Sequence, residues 1–245
     1  MIQVNTYAIQ LGKGKTLNQV IHRKGMDIFE CEIITRYINP NKTMKFSHLI
    51  LLTFAISTFS LKGKETASSD CFQSILGNDL SGWKVPNGND KAGWYTVKDG
   101  VLSLKSGPKK KGSVLWTEKE YTDFVVECEF LFGEGTIDSG IHLRNSDQIQ
   151  IGISGSLKRD MTASPYIPGK GYPVEAKNVK KLLKAKDWNH LRIEAKGKTY
   201  TTWLQGEKVM TYTSDKAIPK GPIGIQLHGN RNMSIDYRNM KVKEL

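Results

Sequence analysis

Alternation with a period of two is the clearest pattern in the chain. Gly140-Ile141-His142-Leu143-Arg144, Gln148-Ile149-Gln150-Ile151-Gly152-Ile153 and Gly224-Ile225-Gln226-Leu227-His228-Gly229 each set aliphatic residues against hydrogen-bonding ones. That is the signature of a strand whose two faces meet different surroundings. Trp94–Lys98 and Val101–Leu104 flank Asp99-Gly100, a pair that readily supplies the positive φ angles of a tight hairpin turn. Further strands are predicted over 113–117, 123–132, 139–144, 148–153, 189–195, 200–204, 208–212, 224–228 and 234–242, with Gln205-Gly206-Glu207 as a second hairpin turn. Only 179–185 suggests a helix, and it is brief and Lys-rich. Many short strands without a βαβ rhythm predict an all-β fold, a two-sheet antiparallel jelly-roll sandwich. Its core would take Phe124, Val126, Phe130, Ile141, Leu143, Ile149, Ile151, Ile225 and Leu227, leaving the polar residues of the three leading strands on the concave side. Residues 154–172 carry Gly155, Pro165, Pro168, Gly169 and Gly171 and are too long for a hairpin. A loop of that length walls a site more readily than it merely connects strands.

The polar face has an unusual composition. Instead of Lys, Glu, Thr or Ser it carries His142, Arg144, Gln148, Gln150, Gln226 and His228. An amide both donates and accepts, Arg presents a fixed fork of donors, and neutral His does one of each. Such a set matches hydroxyl groups in any orientation, so the expected partner is a small carbohydrate. Tyr166 and Tyr172, in the long loop, are the stacking candidates, whereas the tryptophans are assigned to the core or its edges. An ordinary glycosidase needs two carboxyl groups across the scissile bond, and the polar face supplies none. Glu127 and Glu129 read as the solvated side of an outer strand. For a metal, two histidines with Asp138 or Asp160 show no diagnostic spacing.

The formal net charge of +12 could attract nucleic acid or acidic glycans. Lysines such as Lys109, Lys110, Lys111, Lys180, Lys181, Lys184 and Lys186 sit in connections, without an aromatic-interleaved basic strand or a recognition helix. They are read as a solvated basic surface, and no nucleic-acid partner is expected. Near the N-terminus, Met44-Lys45 precedes the apolar run Leu49–Phe59 and then Lys62 and Lys64, the layout of a secretory signal peptide. Residues 1–43 are then an upstream extension, 44–61 the signal, 62–72 a linker and 73–245 one domain. The expected location is periplasmic or extracellular, with no membrane attachment in the mature form. Cys31 falls in the extension. Export would permit a Cys71–Cys128 disulfide, but Cys128 shares an apolar face with Phe124, Val126, Phe130 and Phe132, the setting of a buried thiol.

An ordered set of segments carries a family resemblance. It runs through Asn78-Asp79-Leu80-Ser81-Gly82-Trp83, Trp94 to Leu102, Leu115-Trp116-Thr117, Tyr121-Thr122-Asp123-Phe124 and Ser139–Arg144. It continues with Asp187-Trp188-Asn189, Gly221–Gly229 and a closing Tyr237–Leu245. These resemble the 3-keto-disaccharide hydrolase domain, whose fold is like that of the concanavalin-type lectins and glucanases. The resemblance implies cleavage of 3-keto-glycosides, by elimination and hydration or by net hydrolysis: a C3 ketone acidifies the C2 proton, a base removes it, and the enolate expels the C1 substituent. His142, His228 and Asp160 are the candidate bases. Arg144 and Lys158 could hold the enolate oxygen, and Gln148, Gln150, Gln226 and Tyr166 complete the substrate-binding set. A divalent ion could also stabilise the enolate; no other cofactor is implied. Where family members often carry a Glu and a Gln two apart, this chain has Gln148 and Gln150, and the following turn reads Met161-Thr162-Ala163-Ser164 after Asp160. The alternative is a carbohydrate-binding module without catalysis, and behind it an accessory domain for a protein partner.

Overall fold

A computed structural model describes residues 71–90 and 93–245. The expected extension, the expected signal peptide and most of the expected linker lie outside the described residues. The strands are β1 (Gln73–Ser74), β2 (Trp83–Lys84), β3 (Tyr95–Lys98), β4 (Val101–Lys105), β5 (Ser113–Tyr121), β6 (Phe124–Gly135) and β7 (Asp138–His142). They continue as β8 (Gln148–Gly152), β9 (Pro165–Tyr166), β10 (Asn189–Lys196), β11 (Thr199–Leu204), β12 (Glu207–Thr213), β13 (Gly221–Leu227) and β14 (Met233–Glu244). The only α-helix among the described residues is α1, Val179–Leu182. Two antiparallel sheets result. One has eight strands, β12-β11-β10-β6-β14-β4-β3 with β1 beside β14, and the other has six, β2-β5-β13-β7-β8-β9.

The alternating pattern sets how the sheets face. Ile141, Leu143, Ile149, Ile151, Ile223, Ile225 and Leu227 point from the six-stranded sheet into the core. There they meet Phe124, Val126, Cys128, Phe130, Leu191, Ile193, Ile235 and Tyr237 of the larger sheet. All nine core positions predicted from the sequence are buried. Cys128 is among them as a thiol whose pKa burial pushes up to about 12, while Cys71 is exposed; no bridge joins the two. Both hairpin turns form: Asp99 and Gly100, and Gln205 and Gly206, all take positive φ, as a two-residue type I′ loop requires.

The chief departures come at strand ends. β5 and β6 run longer than their apolar alternation, because antiparallel pairing with β13 and β14 satisfies their backbone whatever their side chains. β7 stops at His142, two residues early. Arg144 and Asn145 adopt φ of 54° and 65°, which turns the chain into β8 and swings the Arg144 side chain off the polar face. The short strands β1, β2 and β9 carry no alternating pattern and exist through their neighbours' edges.

Candidate functional site

The outward face of the six-stranded sheet is a grid read from its registers. One rung runs Trp116, Gly224, His142, Gln148, Tyr166 across β5, β13, β7, β8 and β9. The next runs Val114, Gln226, Gly140, Gln150. The third brings Asp138 opposite Gly152, with the His228 backbone amide donating to the Asp138 carbonyl at 3.3 Å. The long loop then covers much of this grid, and a cavity of about 460 Å³ remains between them. Its lining includes Asp138, Gln148, Gln150, Gln226, His228 and Arg231 from the sheet side, with Ser154, Tyr166 and Tyr172 from the loop. Small-molecule sites span ~300–1,000 Å³.

Asp138, only 2 % exposed, orders the polar groups. A carboxylate can only accept, so Gln150 Nε2 donates to Asp138 Oδ1 at 2.9 Å, which leaves the Gln150 carbonyl to accept from Gln148 Nε2 at 2.9 Å. Gln148 Nε2 also reaches Gln226 Oε1 at 3.0 Å. The amide orientations are thus propagated from one buried charge. Gln148 Oε1 and Gln226 Nε2 make no hydrogen bond among the described residues and remain for a ligand. Gly140 makes room for this arrangement, since a Cβ there would lie 2.2 Å from Gln148 Nε2. The other Asp138 oxygen takes Arg231 Nε at 3.3 Å and faces His228 Nε2 at 3.9 Å. His228 Nδ1 lies 2.6 Å from the Gly229 carbonyl, which can only accept. Nδ1 therefore carries the hydrogen in the neutral ring, and Nε2 keeps its lone pair near Asp138 in the cavity wall.

Tyr166 and Tyr172 form the loop wall, edge to face with ring centroids 5.3 Å apart. Burial, then the Asp138 and Tyr166 groups, raises the Tyr172 phenol above its ordinary pKa, against a lowering hydrogen bond with Ser154. The loop is held from outside: Arg159 pairs with Glu175, Ala176 N donates to Ser164 Oγ at 2.9 Å, and Lys170 Nζ lies 3.5 Å from Asp215.

Five of the expected site residues meet in this cavity: Gln148, Gln150, Tyr166, Gln226 and His228. The other four do not line it. Arg144 is 1 % exposed and bonds to Asp123 Oδ1 and to the carbonyls of Thr122, Ala195, Gly197 and Ile218. It ties the two sheets together at one end. His142 does share the grid, but Trp116 packs over it at 5.2 Å and its Nε2 is buried without a partner. Its Nδ1 meets the Ser146 carbonyl at 3.2 Å, and burial lowers its pKa despite that bond. Asp160 is exposed and spends Oδ1 on the Thr162 amide at 2.7 Å, closing a local turn. Lys158 is exposed at positive φ in the same turn. Asp138 entered the sequence reading only as a distant metal ligand, and Arg231 not at all. Asp138 stands two residues before the alternating motif that begins at Gly140, in phase with its polar face, which is the signal that could have found it; Arg231 lies in a connection with no pattern.

No group of three or more His, Cys, Asp or Glu side chains among the described residues is placed to hold a metal ion. His228 and Asp138 supply two donors in the cavity. No helix among the described residues is long and apolar enough to cross a membrane.

Comparison with solved structures finds the same sandwich elsewhere. Two crystal structures from Parabacteroides distasonis ATCC 8503, provisionally named glycosyl hydrolases, superpose with TM-scores of 0.53 and 0.55. Their identities are 22 % and 20 %; they cover 72 % and 76 % of this chain and 100 % and 98 % of their own. A carbohydrate-binding module, CBM66 from Bacillus subtilis, matches more distantly at 14 % identity and a TM-score of 0.45, over 71 % of this chain and all of its own. No curated protein sequence matches the chain. The profile described as 3-keto-alpha-glucoside-1,2-lyase-like domain matches residues 71–243, nearly everything the structure describes, and the chain belongs to that 3-keto-disaccharide hydrolase family.

Proposed function

We propose that this is an exported enzyme that cleaves 3-keto-glycosides by elimination. The observation that carries the reading is the cavity's single imidazole: the His228 Nε2 lone pair lies beside a buried carboxylate and an arginine. His228 Nε2 takes the C2 proton of a sugar oxidised at C3, and Asp138 at 3.9 Å stabilises the imidazolium that forms. The electron pair from the C2–H bond moves into the C2–C3 bond as the ketone oxygen becomes an enolate. Arg231 supplies fixed positive charge for that oxygen in a partly enclosed site. The enolate then collapses to the ketone, forms the C1–C2 double bond and expels the C1 oxygen, which leaves as an alcohol after accepting the proton held by the His228 imidazolium. The free amide atoms of Gln148 and Gln226 hold hydroxyls, and Tyr166 and Tyr172 stack on the ring. Among the described residues Asp138 is the only carboxylate lining the cavity, so the paired-acid route of ordinary glycosidases has no support there.

The test is turnover of a 3-keto-disaccharide. His228→Ala is expected to lower kcat by about 10²-fold or more, with His142→Gln and Asp160→Ala close to wild type. Equal turnover in His228→Ala and wild type would remove the assignment of the base. The second reading, a binding module without catalysis, is favoured by the neutral amide at Gln148. It requires calorimetric binding of unoxidised disaccharide together with no turnover of any keto-sugar.

A further inference from the structure

The connection from β4 to β5 holds Lys109, Lys110 and Lys111, all exposed. Its shape is unusual for lysines. Lys109 and Lys110 take φ of 55° and 56° in succession, a left-handed conformation that costs an ordinary residue ~1–2 kcal/mol each. Surface lysines in a merely solvated loop have no reason to keep it; observed strain of this kind argues for a constraint. The constraint is visible at both ends. Gly107 fits beneath the Trp94 indole, where a Cβ would lie 2.0 Å from the ring, and Gly112 abuts Gly229, where a Cβ would lie 2.3 Å from the backbone nitrogen. Between them the Lys110 carbonyl accepts from the Asn230 amide at 2.8 Å.

Gly229 and Asn230 are themselves cavity wall, next to His228 and Arg231. The backbone of the triplet is therefore held against the wall of the site. None of its three ammonium groups has a carboxylate within 4.0 Å among the described residues, whereas Arg231 is already matched by Asp138. The segment beside the 229–230 wall thus carries uncompensated positive charge, next to a cavity whose own charges are balanced.

We propose that the site takes an acidic sugar, with the neutral part of the ligand on the amide grid and a carboxylate or sulfate group on the Lys109-Lys110-Lys111 rim. This rests on the elimination reading above and adds the substrate class to it. A loop preorganised in the ligand-binding shape avoids the ordering cost that three free lysines would incur on binding.

The test uses the full chain and three synthetic 3-keto-disaccharides that differ only at the non-oxidised sugar: glucose, glucuronate or a sulfated glucose. At low ionic strength the acidic substrates are expected to show kcat/KM about tenfold above the neutral one. That advantage should shrink towards unity in 0.5 M salt, and disappear in the triple variant Lys109→Gln, Lys110→Gln, Lys111→Gln while its neutral-substrate rate holds. The carboxylate and sulfate arms tell which anion the rim prefers. Equal rates for all three substrates in wild type, or an acidic advantage that survives the triple variant, would overturn the proposal and leave the elimination reading standing. Turnover of none of them would overturn the reading and the proposal with it. The salt series needs no variant, so it decides the matter even if the triple variant folds poorly.

Discussion

Gln148 shows how one amide is fitted to its neighbours. Its Nε2 faces the Ser139 carbonyl, Gln150 Oε1 and Gln226 Oε1, all acceptors, and Asp138 holds Gln150 in the orientation that makes this so. The carboxylate oxygen that replaced Nε2 at that position would face acceptors only. Gln148→Glu is therefore expected to cost about 1–3 kcal/mol at neutral pH. The introduced acid has a folded pKa above its unfolded value, so the loss is recovered as pH falls; urea midpoints at pH 7.5 and 5 check this, and equal midpoints for variant and wild type at pH 7.5 would refute it. His142 runs the other way relative to its ordinary value of 6.5, because burial favours the neutral ring in the folded state. Its contribution to stability is complete above the unfolded pKa and fades as pH falls through the lowered folded pKa. His142→Gln should flatten the stability profile on the acid side, and an unchanged slope would contradict the assignment. Arg144 makes the largest single expected effect on stability. Arg144→Ala removes a donor from four carbonyls and from the Asp123 carboxylate, which keeps only the Gly197 amide, at ~3–5 kcal/mol, read as a lower denaturation midpoint.

At the scale of elements, the alternating strands were legible and the irregular segments were not. Period two places Ile149 and Ile151 in the core and Gln148 and Gln150 on the other face without any knowledge of neighbours. The same reasoning failed at Arg144, because two left-handed residues ended the strand before the pattern did. The long connection was expected to wall the site, and it does so with Tyr166 and Tyr172, but its charged turn at Lys158 and Asp160 lies away from the cavity. Tyr166→Ala and Tyr172→Ala together should weaken sugar binding by about tenfold or more through lost stacking, with little change in folding midpoint; unchanged affinity in calorimetry would show that the wall does not touch the ligand. The lysine connection predicts a trade of the opposite kind. Lys110→Gly relieves a left-handed residue and should raise stability by ~1 kcal/mol, measured by urea unfolding.

For the whole molecule, the net charge of +12 suggested only a solvated basic surface until the fold located part of it. Strand order β5-β13-β7-β8 carries residues from 114, 226, 140 and 150 to one rung, and the turn at 229–230 joins the backbone of the 109–111 segment to the wall of the same cavity. Export is expected to leave a mature chain starting near residue 62, checked by the intact mass of secreted protein; full-length chain retained in the cytoplasm would overturn it. The sequence by itself determined which residues alternate, hence the all-β sandwich, its core and the amide-rich face, because side-chain direction along a strand depends only on local geometry. Tertiary structure alone decided that His228 rather than His142 opens to the cavity, that Arg144 is a tie between sheets, and that Asp138 and Arg231 belong to the site. Those outcomes depend on which strands become neighbours and where strands end, and both are set by contacts between residues far apart in the chain.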